Sequence, residues 1–211
     1  YIDTLRDISC IVNYERLGDM TIIMEKWDGD VMHLLEIGKL NKSIFYDCIT
    51  FLINALITLK KMDLFYTDIK LDNILYRKKT TEIGGEKKTT YSFCLGDVGS
   101  ICEKGDEKCM ITPSKYVSRY IKKSNPNNLL DGIDWDKVKS ERFMVLSVTD
   151  IVHALTPDFE KLPTIMKEGI KQNDNYEYTL EKLKQEWRGG KEKWMGIQKS
   201  KVTTTLANLR F

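Results

Sequence analysis

Tyr66-Thr67-Asp68-Ile69-Lys70-Leu71-Asp72-Asn73-Ile74-Leu75-Tyr76 sets a carboxylate, an ammonium and an amide within six residues, just ahead of a short apolar strand at 74–76. Downstream, Leu95-Gly96-Asp97-Val98-Gly99-Ser100 places another carboxylate between glycines at the end of a second strand. Moving a phosphoryl group calls for these groups. A carboxylate orients the attacking hydroxyl, a cation balances charge on the phosphoryl oxygens, and hard oxygen ligands hold Mg2+ against the phosphates. Asp68, Lys70 and Asn73 supply one of each, and Asp97 adds a carboxylate for metal. Gly99 lets the backbone turn sharply just after that ligand. A hairpin joining the two stretches would bring Asn73 and Asp97 side by side, because its strands begin and end at one edge.

The residues between and around them support such a hairpin. Arg77 to Thr90 is rich in Lys and Thr and turns at Gly84-Gly85, and Tyr91 to Leu95 is the return strand. Upstream, Ser43 to Met62 carries the strongest helical pattern. Ile44, Phe45, Cys48, Ile49, Leu52, Ile53, Leu56 and Leu59 share one face at a period of about 3.6. Asn41 or Ser43 caps its start. Ile8 to Tyr14 and Met20 to Met24 read as strands with a turn at Gly18-Asp19, Glu25 to Asp30 as a polar connector, and Val31 to Glu36 as a short helix. Leu64 to Tyr76 reads as a loop ending in a strand. Gly96 to Asn128, with Pro113 and Pro126, reads as a long loop, a kind usually functional or disordered. Val138 to Leu155 is a second apolar helix. Leu162 to Lys171, Tyr178 to Glu186 and Thr203 to Leu209 are weaker helical stretches.

The 66–76 segment resembles the catalytic loop of eukaryotic-type protein kinases, and Gly96-Asp97-Val98-Gly99-Ser100 resembles their metal-binding segment. Ile22-Ile23-Met24-Glu25-Lys26-Trp27 is similar to the last small-lobe strand and the hinge. The resemblance covers about residues 8 to 155. It implies an α+β fold of the kinase type, mainly the helical large lobe with a remnant of the β-rich small lobe. Residues 1–24 are then the partial small lobe, 25–30 the hinge, and 31–211 the large lobe, with the catalytic loop at 66–73, the metal-binding segment at 96–99 and an activation-type loop at 100–128. Carried over by residue, Asp68 is the catalytic base, Lys70 stabilises the γ-phosphate, and Asn73 and Asp97 hold Mg2+. Met24 is the gatekeeper, the backbone of Glu25 to Trp27 bonds adenine, and Leu75 lies under the adenine ring. Ser140-Glu141-Arg142-Phe143 is similar to the start of the family's central buried helix, where Glu141 would brace the catalytic loop. The implied activity is transfer of the ATP γ-phosphoryl group to a serine or threonine of a protein substrate, with a regulatory protein as a further partner.

Several departures from the family pattern sharpen the expectations. No Gly-rich phosphate loop, strand lysine or partner glutamate precedes the hinge segment. Tyr66-Thr67 stands where His-Arg is usual, so a phosphorylated activation loop lacks its Arg partner and loop phosphorylation is not expected to be the main switch. Val98 replaces Phe, the Asn73-to-Asp97 spacing is longer than usual, and Thr112-Pro113-Ser114 is only a weak counterpart of the substrate-binding end. Two other classes stay open. A pseudokinase acting as a binding or decoy module would keep the acidic residues for structure. A small-molecule phosphotransferase is disfavoured by Lys70.

Composition bounds the rest. The chain has 211 residues, enough for one sizeable core, and 33 basic against 31 acidic residues give a formal charge of +2. So small a charge gives no bulk attraction to nucleic acid or a membrane, and neither is expected as a partner. The apolar stretch Phe51 to Leu59 is interrupted by Asn54 and Thr58, so no bilayer-spanning run is expected. Five cysteines without a C-x-x-C pair, and two histidines, argue against structural zinc. They predict free thiols in a reducing, cytoplasmic setting. His33 and His153 read as ordinary helix residues, Lys78, Lys79, Lys87 and Lys88 as a solvated hairpin, and Trp187 and Trp194 as packing residues. The chain opens on Tyr1 rather than Met, which fits a piece of a longer protein.

Overall fold

The longest apolar pattern in the sequence becomes the central helix. In the computed structural model, which describes residues 5, 8–17, 21–103, 140–156 and 176–188, Lys42–Lys61 forms a helix we call α2. Asn41 caps it by accepting a hydrogen bond from the Ile44 amide at 2.9 Å, a contact typically worth about 1 kcal/mol. Ten of its side chains are buried, from Ile44 and Phe45 through Leu59. By length and composition alone α2 could cross a membrane, which the interrupted sequence pattern did not suggest. Its apolar side instead packs on strands and helices of the chain's own core.

The remaining elements follow in chain order. Strands β1 (Tyr14–Leu17) and β2 (Thr21–Met24) pair antiparallel, with Tyr14 opposite Met24. β3 (Gly29–Asp30) leads directly into helix α1 (Val31–Glu36), which Asp30 caps by accepting from the His33 amide at 2.7 Å. After α2 come β4 (Leu64–Tyr66), β5 (Ile74–Ile83), β6 (Glu86–Leu95) and β7 (Ile101–Glu103). Helices α3 (Ser140–Leu155) and α4 (Tyr176–Arg188) complete the described chain. β3, β5 and β6 form one antiparallel sheet, and β4 pairs with β7 in another. The fold is therefore mixed α/β, with helices and small antiparallel sheets. Leu52, Leu56 and Leu59 of α2 share one buried cluster with Val148 and Val152 of α3 and with Leu180 and Leu183 of α4.

The β5–β6 hairpin turns at Gly84-Gly85, where φ is +62° and +84°. Both values lie in the left-handed region that glycine enters without steric penalty, as a two-residue hairpin turn demands. The ten-residue strands pair in register from Ile74↔Leu95 to Ile83↔Glu86.

Three sequence expectations change. The first strand lies at Tyr14–Leu17 rather than Ile8 to Tyr14. Cys10, Ile11 and Val12 are instead buried against the end of β6, through bonds from the Val12 amide to the Leu95 carbonyl and from the Leu95 amide to the Cys10 carbonyl, each 2.8 Å. Leu64 to Tyr66 and Ile101 to Glu103, read as loop, are strands because they pair with each other across a long separation. Cys10, Cys48 and Cys94 are buried free thiols as expected, but Cys102 is disulfide-bonded. The turn at Gly18-Asp19, most of the 96–128 loop, the Thr112-Pro113 match, Cys109, Trp194 and the helices expected at 162–171 and 203–209 lie outside the described residues, as do the side chains of Glu141, His153 and Trp187.

Candidate active site

The hairpin base sets the site. Ile74 opens β5 opposite Leu95, which closes β6. The residues just outside this pair, Asn73 and Gly96, are joined by a hydrogen bond from the Gly96 amide to the Asn73 carbonyl at 2.8 Å. The backbone of Asn73 and the segment carrying Asp97 thus meet at one end of the hairpin. Gly96 is a point of close approach, since a Cβ there would lie 3.3 Å from Leu75 Cγ and 3.5 Å from the Asn73 carbonyl oxygen.

Asp68, Lys70 and Asn73 form one bonded cluster. Lys70 Nζ lies 2.6 Å from Asp68 Oδ2. Asn73 Nδ2 donates to the same oxygen at 3.0 Å and to the Asp68 carbonyl at 2.9 Å. Asn73 is buried, Asp68 mostly so, and Lys70 is about one third exposed. Burial would pull the Lys70 pKa down, but the hydrogen bond and charge of Asp68, with Asp72 and Asp97 nearby, hold it above the ordinary lysine value. Lys70 therefore stays a cation throughout the physiological range. Burial pushes the neighbouring Asp72 carboxyl above its usual range.

The second carboxylate sits on a strained backbone. Asp97 has φ 48° and ψ 64°, a left-handed conformation uncommon outside glycine, asparagine and aspartate. Its Oδ2 accepts from the Ser100 hydroxyl at 2.9 Å, and its carbonyl accepts from the Ser100 amide at 3.0 Å. A single 3-10 turn at Val98–Ser100 follows, with Val98 buried.

Tyr66 and Thr67 stitch the two loops together. The Tyr66 phenol is fully buried and donates to the Gly96 carbonyl at 2.6 Å. Burial first, and then the charges of Asp97 and Asp68, hold its pKa well above that of a free phenol, so it remains a donor. The Thr67 amide and hydroxyl both donate to the Ser100 carbonyl, at 2.8 and 3.0 Å. The sequence showed these residues only as departures from a family pattern. Their partners lie 30 and 33 positions away and carry no local signal. Ser100 was legible in principle, as a hydroxyl three residues beyond the carboxylate.

The connector residues lie further out. Met24 is 53% exposed, Ile22 and Ile23 about as much, and Glu25 is exposed, while Trp27 is half-buried. Leu75 is half-buried on β5 opposite Cys94. The structure bonds Asp68, Lys70 and Asn73 to one another and joins Asp97 to them through backbone. It records no hydrogen bond or ion pair between those four and Met24, Glu25 or Trp27 among the described residues.

Among the described residues no three His, Cys, Asp or Glu side chains gather as a metal cage. Mg2+ usually takes one or two carboxylate ligands and completes its shell with water and substrate phosphates, so a cage is not what such a site needs. The donor set fits that mode. Asn73 spends its amide nitrogen on Asp68, which leaves its amide oxygen as the candidate ligand, and Asp97 spends one carboxylate oxygen on Ser100.

No family model matches the chain. A comparison with curated proteins finds similarity to a Dictyostelium discoideum protein described as a "Probable serine/threonine-protein kinase". The two are 26% identical over 121 residues, covering 56% of this chain. The chain spans only 9% of that protein's length. The relation is a distant, partial-coverage kinase-like homology.

Proposed function

We propose that the chain is part of a divergent kinase-like domain that transfers the ATP γ-phosphoryl group to a protein serine or threonine. The observation that carries this reading is the stitching of the two loops. Asp68, Lys70 and Asn73 are mutually bonded, and Gly96-Asp97 is fastened to Asn73 and Tyr66. In this reading Asp68 orients the substrate hydroxyl and accepts its proton, and Lys70 balances charge on the transferring group. Asn73 and Asp97 hold Mg2+, which when bound neutralises phosphate charge. Met24, Glu25, Trp27 and Leu75 frame the adenine. Thr67 carries no charge to meet a phosphorylated loop, so loop phosphorylation is not the main switch. A regulatory protein partner belongs to the same proposal.

A second reading, a kinase-like binding module without catalysis, draws on the exposure of Ile22, Ile23 and Met24 on β2. These side chains stand open where an adenine pocket would need a closed wall. Phosphate incorporation from ATP in the presence of Mg2+ separates the two readings. It is measured on the full-length gene product and on Asp68→Asn. Removing a positioned base typically costs about 10²–10⁴ in rate. Equal incorporation by both forms would remove Asp68 from the mechanism, and none by either would favour the binding module.

A further inference from the structure

Arg77 is the first residue of β5 beyond the site, and its guanidinium turns back to the connector between β2 and β3. Its Nη2 donates to Glu25 Oε1 at 2.9 Å and to the Lys26 carbonyl at 2.6 Å, and the guanidinium lies 4.5 Å from the Trp27 ring centroid. Two further bonds to Asp28 flank this contact. The Asp28 amide donates to the Tyr76 carbonyl at 3.0 Å, and the Lys78 amide donates to Asp28 Oδ2 at 2.8 Å. On the other side the Glu25 amide donates to the Asn13 carbonyl at 2.8 Å. The connector is therefore held from β5 and from the residue preceding β1.

We propose that Arg77 is a positioning residue that fixes the Glu25–Trp27 backbone and thereby sets nucleotide affinity, an inference that rests on the kinase-like reading above. Arg77 occupies the Lys26 carbonyl and Asn13 occupies the Glu25 amide, so neither is available to a purine edge. The Glu25 carbonyl and the Trp27 amide enter none of these bonds, and they form the acceptor and donor pair that Arg77 holds in place. The ion pair with Glu25 is too exposed to contribute much by itself. One nitrogen, Nη2, bridges the Glu25 carboxylate and the Lys26 carbonyl while the planar guanidinium lies over the indole, a combination a lysine ammonium does not reproduce.

The test compares the parent protein with Arg77→Ala and Arg77→Lys, using hydrogen exchange over residues 25–29 and equilibrium binding of Mg-ATP. The inference expects faster exchange at the Glu25 and Asp28 amides in both variants. It expects Mg-ATP binding weakened about tenfold by Ala, a loss of about 1.4 kcal/mol, with Lys closer to Ala than to the parent. In turnover, KM for ATP rises more than kcat falls. Unchanged exchange and affinity in Arg77→Ala would overturn the inference and leave the kinase-like reading standing. Full rescue by Lys would overturn the claim that the planar guanidinium over the indole matters. Failure of the parent to bind Mg-ATP would overturn the kinase-like reading and the affinity half of this inference. The exchange result would then confirm or overturn the anchoring half alone.

Discussion

Replacing Tyr66 with Phe removes one oxygen and tests the stitch between the two loops. The ring keeps its volume in a fully buried position, so no sizeable cavity opens. What is lost is the 2.6 Å bond to the Gly96 carbonyl. Gly96 is buried, so its oxygen is left without this donor and without ready access to water. Stranding a buried acceptor costs about 1–3 kcal/mol, more than the net worth of a typical hydrogen bond. Urea denaturation followed by circular dichroism reads this directly. With a urea slope of about 1–3 kcal/mol/M, a loss of about 2 kcal/mol lowers the midpoint by about 0.7–2 M with the slope unchanged. Because the bond holds the residue before Asp97, phosphoryl transfer in the proposed function should fall as well, under conditions where the variant is fully folded. A denaturation curve that superimposes on the parent's would mean that the Gly96 carbonyl has another partner and that the phenol does not stitch the loops.

Two further outcomes follow from buried groups. The Trp27 indole nitrogen is buried with no hydrogen-bond partner among the described residues. Trp27→Phe removes that orphan donor and keeps an aromatic face under Arg77, so its melting temperature should stay near the parent's, while Trp27→Ala should melt clearly lower. Equal losses in both would contradict this. Burial is the main cause lifting the thiol pKa of Cys10 from 9.0 to about 11 and of Cys94 from 9.0 to about 12. Both are raised above their unfolded values. Their contribution to stability is therefore whole below pH 9 and is lost as pH rises through 11 to 12. Melting temperature should fall over that alkaline window. At pH 8 both thiols should resist an alkylating reagent until urea is added, and rapid labelling of the native protein would count against their burial.

Local chemistry made part of this structure legible. The α2 pattern predicted Ser43 to Met62 and the helix occupies Lys42–Lys61, with Asn41 rather than Ser43 as the cap. The paired glycines at 84–85 specified the hairpin, and with it the approach of Asn73 to Gly96. β4 and β7 were not legible, because Leu64–Tyr66 and Ile101–Glu103 are short and extend only by bonding each other. Ile8 to Val12 has strand-forming side chains, yet the core takes it as a buried segment bridged to Leu95, since burial outweighs β-propensity there. Within the site, Asp68, Lys70 and Asn73 lie close in sequence and could be read together. Tyr66, Thr67 and Arg77 act on partners more than two dozen residues away, and no periodicity reports such contacts.

In the proposed function, the left-handed backbone at Asp97 puts durability and chemistry in opposition. A side chain in that conformation typically costs about 1 kcal/mol or more, which glycine would not incur. Any engineering campaign that selects variants only for resistance to heat should therefore drift towards glycine at position 97 and discard the carboxylate. The most robust descendants of such a campaign would be the ones least able to hold the Mg2+ proposed for this carboxylate.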